Sequence, residues 1–174
     1  RQVKLMNSFR ELWEQHVMWT RFFIISNITN LPELELVTNR LFRNPKDFAN
    51  IFRLFFGNIN ANKFDELFTK HLLIAASLLN AKKAGNTEIT EEERKKWFIN
   101  ADNIAALLAQ LNKFWNKQEW QIMLYNHLKM TEDEAIQHLN GQYSSDIMLY
   151  DEIESQALKM ADVMSLGIIR AFKI

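Results

Sequence analysis

Cysteine does not occur anywhere in this sequence of 174 residues. Its absence excludes disulfides, thiolate metal ligands and cysteine nucleophiles. Long apolar runs are absent too, since no stretch reaches the 18 or more apolar residues that a membrane helix needs, and we expect a soluble protein with no membrane partner.

Lys and Arg total 21, as do Asp and Glu. Without an excess of positive charge, we expect no nucleic-acid partner.

Glycine and proline are scarce, with four and two residues, and they divide the chain at regular intervals. The dividing positions are Pro32, Gly57, Gly85, Gly141 and a polar stretch at residues 112–118. A glycine just past an amphipathic run is typical of the left-handed residue that ends a helix. No segment alternates polar and apolar residues as strands do. The sequence therefore predicts an all-α protein with six long antiparallel helices.

Short connections make neighbouring helices antiparallel, so the six helices predict three helical hairpins. They span about residues 3–57, 61–113 and 118–172 of a single helical-bundle domain, 1–174. Repeated two-helix units are typical of a solenoid, but three of them can also close into an up-and-down bundle with a pseudo-threefold repeat, which we favour. Because a proline disfavours helix in the residue before it, Asn44–Pro45 is a candidate break within the second helix.

One pattern occurs three times, and each copy contains a histidine. The copies read FRELWEQHV from residue 9, FDELFTKHL from residue 64 and WQIMLYNHL from residue 120. They place His16, His71 and His127 on the apolar stripes of their helices, 55 and 56 residues apart. The fourth histidine, His138, has no counterpart in the other copies, and we expect it to be exposed.

Carboxylates are expected opposite these histidines, on the helices that return along the bundle. Asp47 and Asp102 each follow the histidine of their hairpin by 31 residues. Counting along the helices places Asp102 at the depth of His71. The third hairpin has a tighter connection, so Glu154 is the candidate there, with Asp151 one turn earlier.

Imidazoles and carboxylates at one level of an apolar bundle are costly to desolvate unless they satisfy one another or bind an ion. Three neutral histidines form a familiar open zinc or iron site. Carboxylates could hold the other ring nitrogens or bridge a second metal, as in helical di-iron proteins. We therefore predict a site for a divalent metal (zinc, iron or manganese), with ligands or supports drawn from His16, His71, His127, Asp47, Asp102, Glu154 and Asp151.

Three functions remain open at this stage. If the protein is an enzyme, a metal-activated water that performs hydrolysis or group transfer is the favoured class, with redox chemistry at iron or manganese also open. The alternative is a non-catalytic structural or interaction protein whose His–carboxylate layer is a hydrogen-bond network. A bundle enclosing an apolar ligand is a third, weakly supported by 13 Phe and 5 Trp. We expect a cytoplasmic protein, with a removed export signal and a homo-oligomer as open alternatives.

Three segments resemble a family of small bacterial all-helical proteins, and the resemblance covers nearly the whole chain. The segments are LWEQHVMWTR at 12–21, HLLIAA at 71–76 and NADNIA at 100–105. Members of that family carry labels such as acetylglutamate kinase or glycosyltransferase without an established activity. The resemblance implies the fold and supplies no mechanism. The kinase label does not suit these residues, because no glycine-rich phosphate loop is present, and we expect no nucleotide partner.

Overall fold

The computed structural model describes all 174 residues and contains five α-helices and no strands. The prediction of an all-α protein is confirmed. We expected six helices, and the count is five because the second and third predicted helices meet at Gly57 with no loop between them and are counted together. The helices are α1 (Gln2–Ile28), α2 (Leu34–Lys83), α3 (Thr87–Leu111), α4 (Lys117–Leu139) and α5 (Tyr143–Phe172).

Helix α2 doubles back on itself at Gly57. Only this residue leaves helical geometry, with φ 76° and ψ 172°, a combination that is essentially confined to glycine. The rings of Phe52 and Phe64 lie 4.4 Å apart, centroid to centroid, whereas twelve residues of straight helix would separate them by about 18 Å. The chain therefore reverses at Gly57 without a loop, and α2 has a first arm (34–56) and a second arm (58–83).

The other connections are short and are fixed by local side-chain and backbone chemistry. Gly85 and Gly141 adopt φ values of 69° and 71° just past the ends of α2 and α4, as the glycine spacing predicts. Asn86 and Asn116 accept hydrogen bonds from the backbone N–H groups of Ile89 and Glu119. These caps satisfy N–H groups that the first turns of α3 and α4 would otherwise leave unpaired.

The helices close into a ring around one core. Each helix packs against the next along the chain, and α1 also packs against α5. The arrangement is a closed bundle and not an open solenoid. Helix α2 continues through Asn44–Pro45, so the candidate break there is wrong. Both residues are buried in the packed first arm, and the burial of the proline ring offsets the hydrogen bond that proline removes from the helix.

Aromatic residues fill the core below the histidines. Phe9, Phe64 and Trp120 stand at equivalent positions of the three sequence copies, seven residues before each histidine, and are at most 1% exposed. Trp13 and Phe68 form the next layer and are both buried. The three histidines thus lie on a layer of buried aromatic side chains.

No helix among the five contains a run of residues suited to spanning a membrane.

Candidate metal centre

Three helical elements bring His16, His71 and His127 together in the interior. They lie on α1, the second arm of α2 and α4, and each is at most 2% exposed. One ring nitrogen from each histidine lies within 4.8 Å of one from each of the others. The ring centroids are separated by 5.5 to 6.3 Å. The prediction that the three repeated histidines meet is confirmed.

An asparagine on the first arm of α2 fixes the orientation of the His16 ring. Asn44 Oδ1 lies 3.1 Å from His16 Nδ1, and Asn44 Nδ2 donates to the backbone carbonyl of Leu12 at 2.9 Å. A carbonyl can only accept, so the amide must turn its NH₂ group toward Leu12 and its oxygen toward the ring. Nδ1 of His16 must then carry the proton, and Nε2 retains its lone pair.

The same arrangement recurs at His71, with residues of α3. Asn100 Oδ1 lies 3.2 Å from His71 Nδ1, and Asn100 Nδ2 donates to the carbonyl of Leu67 at 3.0 Å. The direction of this amide is again fixed by the carbonyl, so His71 is protonated at Nδ1 and unprotonated at Nε2. Orienting a ring through its second nitrogen is how proteins prepare histidine to bind a metal.

The third histidine has a longer and looser partner. Gln156 on α5 donates from Nε2 to the backbone carbonyl of Met123 at 2.7 Å. That carbonyl precedes its histidine by four residues, as the carbonyls of Leu12 and Leu67 do. However, His127 Nδ1 and Gln156 Oε1 are both buried without a hydrogen-bond partner. Gln156 therefore lies beside His127 without fixing the tautomer of its ring.

Burial keeps all three rings neutral. It lowers the pKa of His71 to about 3 and that of His127 to about 4. Burial, and then the neighbouring imidazoles, hold the pKa of His16 well below its usual value. At neutral pH no ring carries a charge, so the lone pairs at Nε2 of His16 and His71 are available without loss of a proton.

The walls around the rings are aromatic and uncharged. Phe68 stacks on His16 with a centroid distance of 4.8 Å and an interplanar angle of 20°. Trp13 meets the same ring edge-on at 5.6 Å, and the ring of Trp97 lies 5.3 Å from His71. The donor set is thus three neutral nitrogens in a medium of low polarity.

A metal ion fits this donor set after a small contraction. Zinc–nitrogen bonds of 2.0–2.1 Å in a tetrahedral arrangement would hold the nitrogens about 3.3 Å apart. The nitrogens now lie within 4.8 Å of one another, so the rings would have to converge by up to about 1.5 Å. Small rotations about the χ1 and χ2 bonds of the three histidines can supply such a shift.

None of the four predicted acids joins the three histidines. Asp47 forms an ion pair with Arg43 of its own helix, with a separation of 3.0 Å. Asp102 accepts hydrogen bonds from Tyr125 Oη and Gln121 Nε2, at 2.6 and 2.8 Å. The expectation that these two acids hold the ring nitrogens is therefore wrong, because asparagines occupy those places.

The acids of the third hairpin face elsewhere as well. Asp151 is exposed. Glu154 interacts with Glu14, whose pKa is raised to about 7 by burial and by a hydrogen bond with Glu154. Neither residue hydrogen-bonds to His127, whose neighbour on α5 is Gln156.

The missed residues had a signal in the sequence. Asn44, Asn100 and Gln156 are spaced 56 residues apart, as closely periodic as the histidines. They follow the histidines by 28 and 29 residues in the first two hairpins, which is three and two residues less than the spacing of 31 that selects the acids. The sequence favours the acids over these amides because carboxylates are the more usual partners of ligand histidines.

The fourth histidine is buried, which corrects the expectation that it is exposed. His138 Nδ1 lies 2.8 Å from Asp146 Oδ2. Arg21 completes this cluster with ion pairs to Asp146 and Glu134, at 2.7 and 2.6 Å. The cluster joins α1, α4 and α5 and is a second buried polar group, separate from the three histidines.

We compared the chain with protein-family models, with curated proteins and with solved structures. None of them matches it. The function is therefore inferred from the residues of the histidine centre.

Proposed function

We propose that this chain is a metal-binding helical-bundle protein in which His16, His71 and His127 together bind one transition-metal ion. The observation that carries the proposal is the tautomer of the first two rings. With the proton of each ring committed to an asparagine, both Nε2 atoms are acceptors, and acceptors cannot hydrogen-bond to each other. His127 can donate to one of them at most, which leaves the other without a hydrogen-bond donor among the three rings. A metal ion satisfies all three.

Equivalent hydrogen bonds support a pseudo-threefold arrangement of hairpins around this ion. In each hairpin an amide from the returning helix donates to the carbonyl four residues before the histidine. The donor and acceptor are 32, 33 and 33 residues apart. The pairs are Asn44 with Leu12, Asn100 with Leu67 and Gln156 with Met123. Three copies of one hairpin then place one ligand each at a common centre.

The donor chemistry narrows the metal. Imidazole suits zinc, copper, iron and nickel, whereas manganese favours oxygen ligands. The absence of a carboxylate among the three ligand candidates therefore favours zinc or ferrous iron over manganese. Three neutral ligands would leave the charge of a divalent ion uncompensated in this apolar site, which favours an anionic fourth ligand such as hydroxide.

Three protein ligands leave a coordination position open, as catalytic sites do. A metal bound there would lower the pKa of a coordinated water and so make it a nucleophile, which is the chemistry of metal-dependent hydrolases and transferases. The role of the chain's own residues is to hold three neutral nitrogens in place and to exclude bulk water. The enzyme class is the finer part of the proposal and depends on the ion being bound.

The complete burial of the three rings favours one second candidate. At no more than 2% exposure, the histidine–amide layer could serve only to fix the register of the helices in a non-catalytic protein. Buried polar groups fix register in this way in some helical assemblies. In that case the protein would need no metal.

Elemental analysis separates the two candidates. Untagged protein, dialysed against Zn²⁺ and then against metal-free buffer, should retain one ion per chain and should lose thermal stability when a chelator is added. The variant His71→Gln should retain none. The variant His138→Gln is the matched control, because it removes the buried histidine outside the centre, and it should retain one ion. Metal-free wild-type protein that is unaffected by chelator would refute metal binding and support the structural role.

A further inference from the structure

The three amides behind the histidines differ in how they meet the surface. Asn44 is fully buried and Asn100 is 2% exposed. Gln156 is only partly buried, and it lines a groove between α4 and α5. It is also the one amide whose oxygen makes no hydrogen bond to its histidine. Gln156 therefore both neighbours His127 and lines an open surface groove.

This groove carries more acidic than basic side chains. Its volume is about 780 Å³. The charged and amide residues along it are Asn126, Lys129, Asp133, Asp151, Glu152 and Lys159. Three carboxylates against two ammonium groups give the groove a net charge of −1, a small excess that favours cations over anions. The groove suits the approach of a cation.

We propose that the α4–α5 groove is the route by which a metal cation reaches the three histidines, and that Gln156 is the gate at its inner end. This inference rests on the proposed metal binding. Asp151 and Glu152 attract the hydrated ion at the outer end. Gln156 then swings outward and uncovers His127.

The exchange at the inner end needs no net loss of protons from the rings, but a proton on His127 Nε2 has to move to Nδ1 through water. The ion loses water ligands and gains imidazole nitrogens, and no proton leaves because the rings are neutral. As Gln156 returns, its Oε1 can accept a hydrogen bond from His127 Nδ1–H. That bond would give the third ring the tautomer that the other two already have and would satisfy two buried atoms that now lack partners.

Stopped-flow loading with Co²⁺ tests the route, because four-coordinate cobalt bound by three histidines absorbs visible light far more strongly than hydrated, octahedral cobalt does. Gln156→Ala removes the gate and should accelerate both loading and chelator-driven release by about tenfold. The double variant Asp151→Asn/Glu152→Gln should load about threefold to tenfold more slowly and should lose most of the salt dependence of the rate. The matched control Glu33→Gln/Glu35→Gln changes the net charge equally at exposed positions outside the groove and should load at the wild-type rate.

The outcomes separate the proposed metal binding from the proposed route. If wild-type protein develops no cobalt spectrum, metal binding itself fails, and the route fails with it. If wild-type protein binds cobalt but the groove variant loads like its control, the route is wrong while metal binding stands. If Gln156→Ala fails to fold, as judged by circular dichroism, the exposed pair Asp151 and Glu152 decides the question alone.

Discussion

Acid should destabilise the metal-free protein specifically through its buried histidines. Each neutral ring takes up a proton on unfolding once the pH falls below the pKa of an exposed histidine, about 6.5. The folded state resists that proton because burial lowers the pKa of His71 to about 3. The unfolded state therefore binds more protons than the folded state, and stability falls as the pH decreases from 6.5 toward 3.

The size of the effect follows from the shift of His71. One pH unit corresponds to about 1.4 kcal/mol per proton. Between pH 7.5 and 5.5 a single histidine of this kind should cost about 1.4 kcal/mol of unfolding free energy, since only the unit below 6.5 contributes. His71→Leu removes this term. The variant also leaves the Asn100 oxygen without its partner, but that loss does not depend on pH.

Urea unfolding of wild type and His71→Leu at the two pH values, in the presence of chelator, isolates the contribution of His71 to the unfolding free energy. The two proteins have to be compared because burial raises the pKa of Glu14 and of Glu134 to about 7. These carboxyls hold protons in the folded state and so stabilise it as the pH falls, but they do so in both proteins. Wild type should lose about 1.4 kcal/mol relative to His71→Leu on going from pH 7.5 to 5.5. An unchanged difference would mean that His71 titrates normally in the folded protein.

Three further predictions concern stability, and urea unfolding measures each of them. Asn100→Leu should cost about 2–3 kcal/mol, because it leaves the Nδ1–H of His71 and a backbone carbonyl buried without partners; a loss below about 0.5 kcal/mol would refute this hydrogen-bond pair. Arg21→Met should cost about 3–5 kcal/mol, because it leaves the buried Asp146 carboxylate and the buried Glu134 carboxyl without their cation, whereas Arg10→Met breaks a more exposed pair and should cost less than about 1 kcal/mol. Gly57→Ala should cost about 1–3 kcal/mol from backbone strain alone, because no atom lies within 4 Å of the added Cβ; a neutral effect would argue against the sharp reversal.

The sequence predicts the helical fold well, because helix ends follow from local chemistry. Gly85 and Gly141 end helices with positive φ, as glycines after amphipathic runs are expected to do. Gly57 marks a reversal as expected, but it does so inside one element. A single residue can turn the chain, and no spacing pattern distinguishes that from a loop.

The meeting of the three histidines is also predictable from local periodicity, whereas the amide residues that lie behind them are not. A repeated position on an apolar stripe fixes the depth of a side chain along its own helix. The depth of the facing residue depends on the geometry of the turn between them, and an error of two or three residues there selects Asp102 in place of Asn100. A shift of that size also rotates the side chain to another face of the helix.

His138 shows a second limit. It lacks a counterpart in the repeat, but it is buried in an ionic cluster with Asp146, which lies across the turn on α5, and Arg21, which comes from the distant helix α1. Its burial depends on contacts across 8 and 125 residues of sequence, which periodicity within one helix does not encode.

X-ray absorption spectroscopy of the zinc-loaded, untagged protein identifies the ligands of the ion. We expect one ion per chain, with three imidazole ligands at 2.0–2.1 Å and no carboxylate from the protein. A spectrum with fewer imidazoles or with protein carboxylates, or an ion that is absent at saturating zinc, would contradict the assignment of His16, His71 and His127 as its ligands.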